Sequence, residues 1–162
     1  MEESTVLEDK YNNLKLENEE LHAEVDYLNM LFDQYVITSV TDIKGTILSV
    51  SKPFEDISGY SEQELLGSPH NIVRHEDMPK EAFEDLWQTI QKKEIWRGEV
   101  KNRKKDGGYY WVDSTIIPLL NSKKNIVGYR AIRIDISDQK KVHDNYNDIL
   151  LDTSNDDYLD DL

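Results

Sequence analysis

The 162-residue chain contains no cysteine, which excludes disulfides, thiolate metal sites and cysteine nucleophiles. Basic residues are scarce. The 19 lysines and arginines face 33 aspartates and glutamates, a formal net charge of -14. A field of that sign repels phosphate backbones and anionic membrane surfaces, so no nucleic-acid partner is expected. No apolar run approaches the roughly 20 residues that span a bilayer, so no membrane insertion is expected either. The segment MEESTVLEDK is too acidic for a secretion signal, and a soluble, cytoplasmic protein is the expectation. The seven glycines form no G-x-G-x-x-G phosphate loop. His70 and His75 lack partners at metal-ligand spacing, so no metal site follows. No nucleophile, base and orienting residue fall together, so the chain reads as no enzyme, with no catalytic residues.

What the chain does contain begins with a period of seven. Leu7, Leu14, Leu21 and Leu28 recur at that spacing, with Tyr11, Asn18, Val25 and Phe32 four residues after each. This is a heptad with leucine at d, over a segment of residues 1–34 whose other faces are charged. It reads as a dimeric coiled coil, with a single amphipathic helix lying on its own domain as the alternative. Asn18 at an a position favours two parallel strands, where the paired amides satisfy each other inside the seam.

Residues 35–138 change to strands and turns. YVITSVTD and TILSVS flank Ile43-Lys44-Gly45 as a hairpin. Helical pieces follow at KPFEDIS and SEQELLG, the second opened by Ser61 and Glu64 as a capping box. Ala82, Phe83, Leu86, Trp87 and Ile90 share one helical face, which predicts an amphipathic helix over 78–93. Three strands come next, IWRGEVKNR, YYWVDSTIIPLL and NIVGYRAIRIDIS, joined by turns at Asp106-Gly107-Gly108 and Asn121 to Asn125. Within 139–162, Val142, Tyr146 and Ile149 mark a last helix capped by Ser137. The acidic tail DTSNDDYLDDL has the composition of a poorly ordered segment.

Candidate binding residues come from strand parity and from one loop. In the strand 95–103, Trp96, Gly98, Val100 and Asn102 alternate with four charged residues and so face inward. An inward amide needs partners: the edge of a planar heterocycle suits Asn102, with neighbouring backbone as the alternative. Gly98 on that face leaves room for a ring. In the strand 126–136 one parity is isoleucine (Ile132, Ile134, Ile136) and the other carries Tyr129, Ala131, Arg133 and Asp135. Simple amphipathy places the isoleucines inside; the opposite register sends Arg133 to the pocket and leaves an apolar outer face in need of a cover. In the loop GSPHNIVRHEDMP, Arg74 and His75 follow one turn of helix at the mouth of whatever the sheet encloses. Asp77 either caps the next helix or meets a ligand.

These pieces together resemble a PAS domain: D-I-K-G-T-I, PFEDISGYSEQELLG, N-R-K-K-D-G-G-Y-Y-W and G-Y-R-A-I-R-I-D-I-S, over residues 35–138. The stretch from Gly67 to Val112 is similar to the flavin-binding PAS domains of aerotaxis receptors. That resemblance implies a five-stranded antiparallel sheet with helices on one side, an α+β fold, enclosing non-covalently bound FAD as a redox or oxygen sensor. Arg74, His75 and Asp77 match the family's R-H-x-D positions associated with FAD, Trp96 its W-x-G tryptophan, and Asn102 the asparagine that meets the isoalloxazine edge. Arg133 falls where related light-oxygen-voltage domains place glutamine beside the ring. Glu76 stands where the family usually has proline. With no cysteine, a covalent photoadduct is ruled out. No output domain is legible, so the implied homodimer signals in trans, to a chemoreceptor or histidine-kinase protein. A haem-binding gas sensor using His75 or His70 as axial ligand, and a cofactor-free PAS dimerisation adaptor, are the alternatives.

Overall fold

The computed structural model describes residues 2–156. The long helix α1 (Glu2–Tyr35), whose sequence has no glycine or proline, leads into β1 (Ile37–Thr41) and β2 (Ile47–Val50). Three short elements follow: α2 (Lys52–Ser58), α3 (Glu62–Leu65) and a 3₁₀ turn at His70–Val73. Helix α4 (Lys80–Gln91) then precedes β3 (Trp96–Arg103), β4 (Tyr109–Leu120), β5 (Ile126–Asp135) and α5 (Ser137–Asp156). The strands form one antiparallel sheet in the order β2-β1-β5-β4-β3.

Local chemistry sets these boundaries. Ser51 accepts from the Phe54 N–H at the start of α2, and Gly59 closes that helix in the left-handed region, φ 77°. The Glu64 carboxylate accepts from the Ser61 N–H at 3.0 Å, as the capping box predicts. Lys105 also donates to Glu64 at 2.5 Å and is the main reason its carboxyl falls to about 2. Gly107, φ 92°, carries the β3–β4 turn, and Asn121 Oδ1 gathers the Lys123 and Asn125 amides in the next.

The inner face of the sheet packs Trp96, Val100, Tyr110, Val112 and Tyr129 against Phe54, Leu65, Val73, Leu86 and Ile90 of the helical side. In β5 the register follows the second of the two parities: Arg133 is 5% exposed, whereas Ile134, on the outer face, is 63% exposed. Helix α1 does not cover that face. It meets α2, and Asp33 in its C-terminal part accepts from the Thr38 hydroxyl at 2.9 Å. Leu7, Leu14, Leu21 and Leu28 are 54% to 74% exposed, so the helix does not lie on its own domain.

Three local expectations are corrected. Ser137 directs its hydroxyl to β4, accepting from the Trp111 N–H at 3.0 Å, instead of capping α5. The space above Gly98 is filled: a Cβ there would lie 2.6 Å from the Trp96 ring, which folds back over the glycine. Helix α5 runs to Asp156, into the acidic tail, and the tail's remaining residues 157–162 lie outside the described residues.

Candidate functional site

The sheet's inner face and the helical side enclose a cavity of about 270 Å³. Its floor is β1, β3, β4 and β5, which contribute Ser39, Asn102, Ser114 and Arg133 among apolar neighbours. Its other wall is the 67–74 loop and α4, with Phe83, Leu86, Trp87 and Ile90. Trp87 meets Tyr129 edge to face at 5.7 Å, so aromatic surface closes one side.

At the deep end Arg133 is held by a network that joins distant parts of the chain. Its Nη1 donates to Ser39 Oγ at 3.0 Å and its Nη2 to His70 Nε2 at 2.8 Å, while its guanidinium lies 5.3 Å from the Phe54 ring centre. Because guanidinium only donates, His70 Nε2 accepts and the ring proton sits on Nδ1. Burial, then the Arg133 charge, pushes the imidazole down to about 3, so His70 is neutral. Burial also lowers Arg133, to about 10, which leaves it charged at neutral pH. Among the described residues no carboxylate pairs with it; the charge is buried among neutral partners. Tyr110, opposite Asn102 on β4, is raised to about 12, mainly by burial.

His70 makes stability depend on pH. The unfolded chain takes up its proton near 6.5, the folded chain only near 3. Across that window the unfolded state binds more protons, so stability is full above about pH 6.5 and is lost as pH falls, by up to about 1.4 kcal/mol per unit. Urea unfolding between about pH 6.5 and 5, above the usual carboxylate range, is expected to show this slope, and His70→Asn to flatten it.

The residues singled out by the sequence are divided by the structure. Arg74, Asn102 and Arg133 line the cavity. Arg74 stacks on Phe83, 3.9 Å from its centre, and pairs backbone to backbone with Asn102. His75, Asp77 and Trp96 do not line it. His75 packs edge to face on Tyr109 at 6.0 Å, and its Nδ1 accepts from the Asp77 N–H. The Asp77 carboxylate pairs with Lys101 at 2.5 Å, which holds it below its usual value, and Pro79 takes the cap position of α4. The Trp96 N–H donates to Asp85 at 2.8 Å, tying β3 to α4.

Sequence reasoning missed Ser39, Ser114 and Lys44 as lining residues, and weighed His70 only as a metal or haem ligand. Ser114 was within reach, since it shares the inward parity of Tyr110 and Val112. Its Oγ is fully buried with no hydrogen-bond partner among the described residues. An orphaned hydroxyl on a cavity floor is costly until a ligand satisfies it. With the Asn102 amide and the Arg133 guanidinium, it gives the floor polar groups that fit the heteroatom-rich edge of a flavin ring.

A five-stranded antiparallel sheet with helices on one face, closed over a ligand-sized cavity, is the architecture of PAS domains. The chain belongs to the PAS fold family, whose model matches residues 47–133. It is 46% identical over 110 residues to the aerotaxis receptor of Escherichia coli (strain K12), an overlap of 68% of this chain and 22% of the receptor. Identity to the nitrogen fixation regulatory protein of Klebsiella oxytoca is 32% over 111 residues, again 68% of this chain and 22% of that one. The chain thus spans about a fifth of the length of these relatives. Among solved structures, the PAS domain of a protein from Colwellia psychrerythraea superposes with a TM-score of 0.65 at 25% identity, covering 70% of this chain and 98% of that chain. A light-oxygen-voltage domain studied with a flavin analogue gives 0.63 at 20% identity, covering 83% and 96%, a likeness of fold. No helix among the described residues is long and apolar enough to cross a membrane.

Proposed function

We propose that this PAS domain binds FAD non-covalently, senses redox state or oxygen through it, and signals as a homodimer to a separate chemoreceptor or histidine-kinase protein. The observation that carries the reading is the cavity floor: an orphaned Ser114 hydroxyl, the Asn102 amide and a buried Arg133 without a carboxylate, converging on one enclosed space. Asn102, Ser114 and Arg133 hold the ring, and Arg74 holds the part of the cofactor nearer the surface. His75 and Asp77 act by shaping the loop that carries Arg74, and Trp96 by locking β3 onto α4. Bound there, FAD supplies one- and two-electron chemistry. A haem is disfavoured because the His70 nitrogen facing the cavity is occupied by Arg133, and His75 lies outside.

The strand that carries Arg133 connects the cavity to both helices. Arg133 sits opposite Ile37, the first residue of β1, two residues after α1 ends, and β5 runs directly into α5. A change in charge beside Arg133 that shifts β5 is therefore felt at the roots of α1 and α5. The transmitted signal is the difference in how the two redox forms stabilise the two packings of those roots.

An absorption spectrum of the purified protein tests the reading. Flavin bands near ~450 nm support it; a Soret band near ~400 nm, or no band after FAD is added, overturns it. The exposed heptad of α1 predicts a parallel dimer at micromolar concentration by sedimentation. Asn18→Val is expected to raise its thermal stability while mixing oligomeric states, because the paired amides no longer select two strands.

A further inference from the structure

Charge is distributed against the average of the molecule at this cavity. In a chain of net charge -14, the described residues that line the cavity include three cations, Lys44, Arg74 and Arg133, and no carboxylate. Arg133 is buried at the deep end. Lys44 is exposed and Arg74 half-buried, which puts both towards the mouth, and neither forms an ion pair among the described residues. Elsewhere among the described residues Lys15, Lys52, Lys101, Lys105, Lys140 and Lys141 each reach a carboxylate; what sets the cavity apart is that its cations gather where no carboxylate lines the wall.

Lys44 is held at the mouth by a well-fixed hairpin. Asp42 Oδ1 accepts from the Lys44 N–H at 2.8 Å and the Thr46 N–H at 2.9 Å, setting the β1–β2 turn. Gly45, φ 85°, packs on the Trp87 ring, where a Cβ would come within 3.3 Å. The Gly45 carbonyl accepts from the His70 N–H at 2.9 Å, and Thr46 pairs with Pro69. The hairpin tip is thus tied to α4 and to the loop bearing Arg74, which keeps two backbones that each deliver a cation in fixed relation. A cavity of about 270 Å³ is at the small end for a bound molecule, so a ring system fills it and a longer ligand leaves its arm at this mouth.

We infer that Lys44 and Arg74 form a clamp for a phosphate or pyrophosphate arm, which makes Lys44 a binding residue that selects phosphorylated flavins over riboflavin. The inference rests on the flavin reading above and adds the recognition of the arm to it. Arg74, seated over the Phe83 ring, presents its N–H fork to phosphate oxygens, and Lys44 adds a mobile point charge. Because the mouth is open to water, the contact is screened, so binding of the arm weakens as salt rises.

The test titrates the cofactor-stripped protein with riboflavin, FMN and FAD, at about 50 and about 500 mM salt. Lys44→Glu is compared with Lys123→Glu, an equal change of net charge on the exposed β4–β5 turn. Far-UV circular dichroism checks that both variants are folded. The expected result is that FMN and FAD bind about tenfold or more tightly than riboflavin, with a salt dependence riboflavin lacks. Lys44→Glu removes most of that advantage and leaves riboflavin affinity unchanged, while Lys123→Glu alters none of the three. Equal affinity for riboflavin and FAD in the wild type, or an equal effect of both variants, overturns the clamp and leaves flavin binding intact. Binding of none of the three overturns the flavin reading itself, and the clamp with it.

Discussion

Arg133→Gln is expected to lower the midpoint potential of the bound flavin by about 30–60 mV. A buried cation in a low-dielectric cavity favours the electron-rich form of whatever ring lies beside it, and a charge-assisted contact of that kind contributes ~1.5–3 kcal/mol. For a two-electron couple, ~1.4 kcal/mol corresponds to ~30 mV. Glutamine keeps a donor for Ser39 and an oxygen for neighbouring donors, so the loss is chiefly of charge. Fold stability is expected to hold or rise, because the variant no longer buries a cation that lacks a carboxylate. Anaerobic potentiometric titration of both proteins checks it. An unchanged midpoint in a correctly folded variant removes Arg133 from the redox response.

Asn102→Ala is expected to weaken flavin binding by roughly ten- to a hundredfold, since ring-edge hydrogen bonds in a closed pocket are lost without replacement by bulk water. Asn102 is 4% exposed on the cavity floor, beside Tyr110 and across a backbone pair from Arg74. The variant is expected to purify largely colourless, with a dissociation constant measurable by fluorescence quenching of added flavin. Full occupancy with an unchanged spectrum would make Asn102 a structural residue and Ser114 the principal polar contact of the floor.

Much of the architecture was legible because it is local. The capping box at Ser61, the turns at Asp106-Gly107-Gly108 and Asn121 to Asn125, and the apolar face of α4 each announce themselves within a few residues. Parity in β3 placed Asn102 inward on the strength of its own strand. In β5, parity alone left two registers open, because alternating isoleucine and polar residues fit either face; the family resemblance favoured Arg133 inward, as the structure has it. What sequence did not reveal was long-range. The Arg133–Ser39 contact joins residues 94 apart and the Arg133–His70 contact residues 63 apart, and nothing in either segment specifies the other. Gly98 read as empty space because its own neighbour's ring, folding back two residues, is a rotamer choice that composition does not encode. Ser137 read as a cap because its competing partner, the Trp111 amide, comes from a strand 26 residues away. Lys44 looked like any turn lysine until the fold set it in the lining of the same cavity as Arg74.

In the proposed mechanism the redox state of this cavity is communicated to the helices at its border. The chain lacks cysteine, so a single Gln34→Cys substitution, on an exposed position of the last turn of α1, places one spin label in each protomer. Pulsed dipolar spectroscopy then reads the separation of the two labels in the flavin-loaded dimer, fully oxidised and fully reduced. A distance distribution that moves on reduction, and fails to move in Arg133→Gln, is the predicted result; superimposable distributions for the oxidised and reduced wild type would contradict the account.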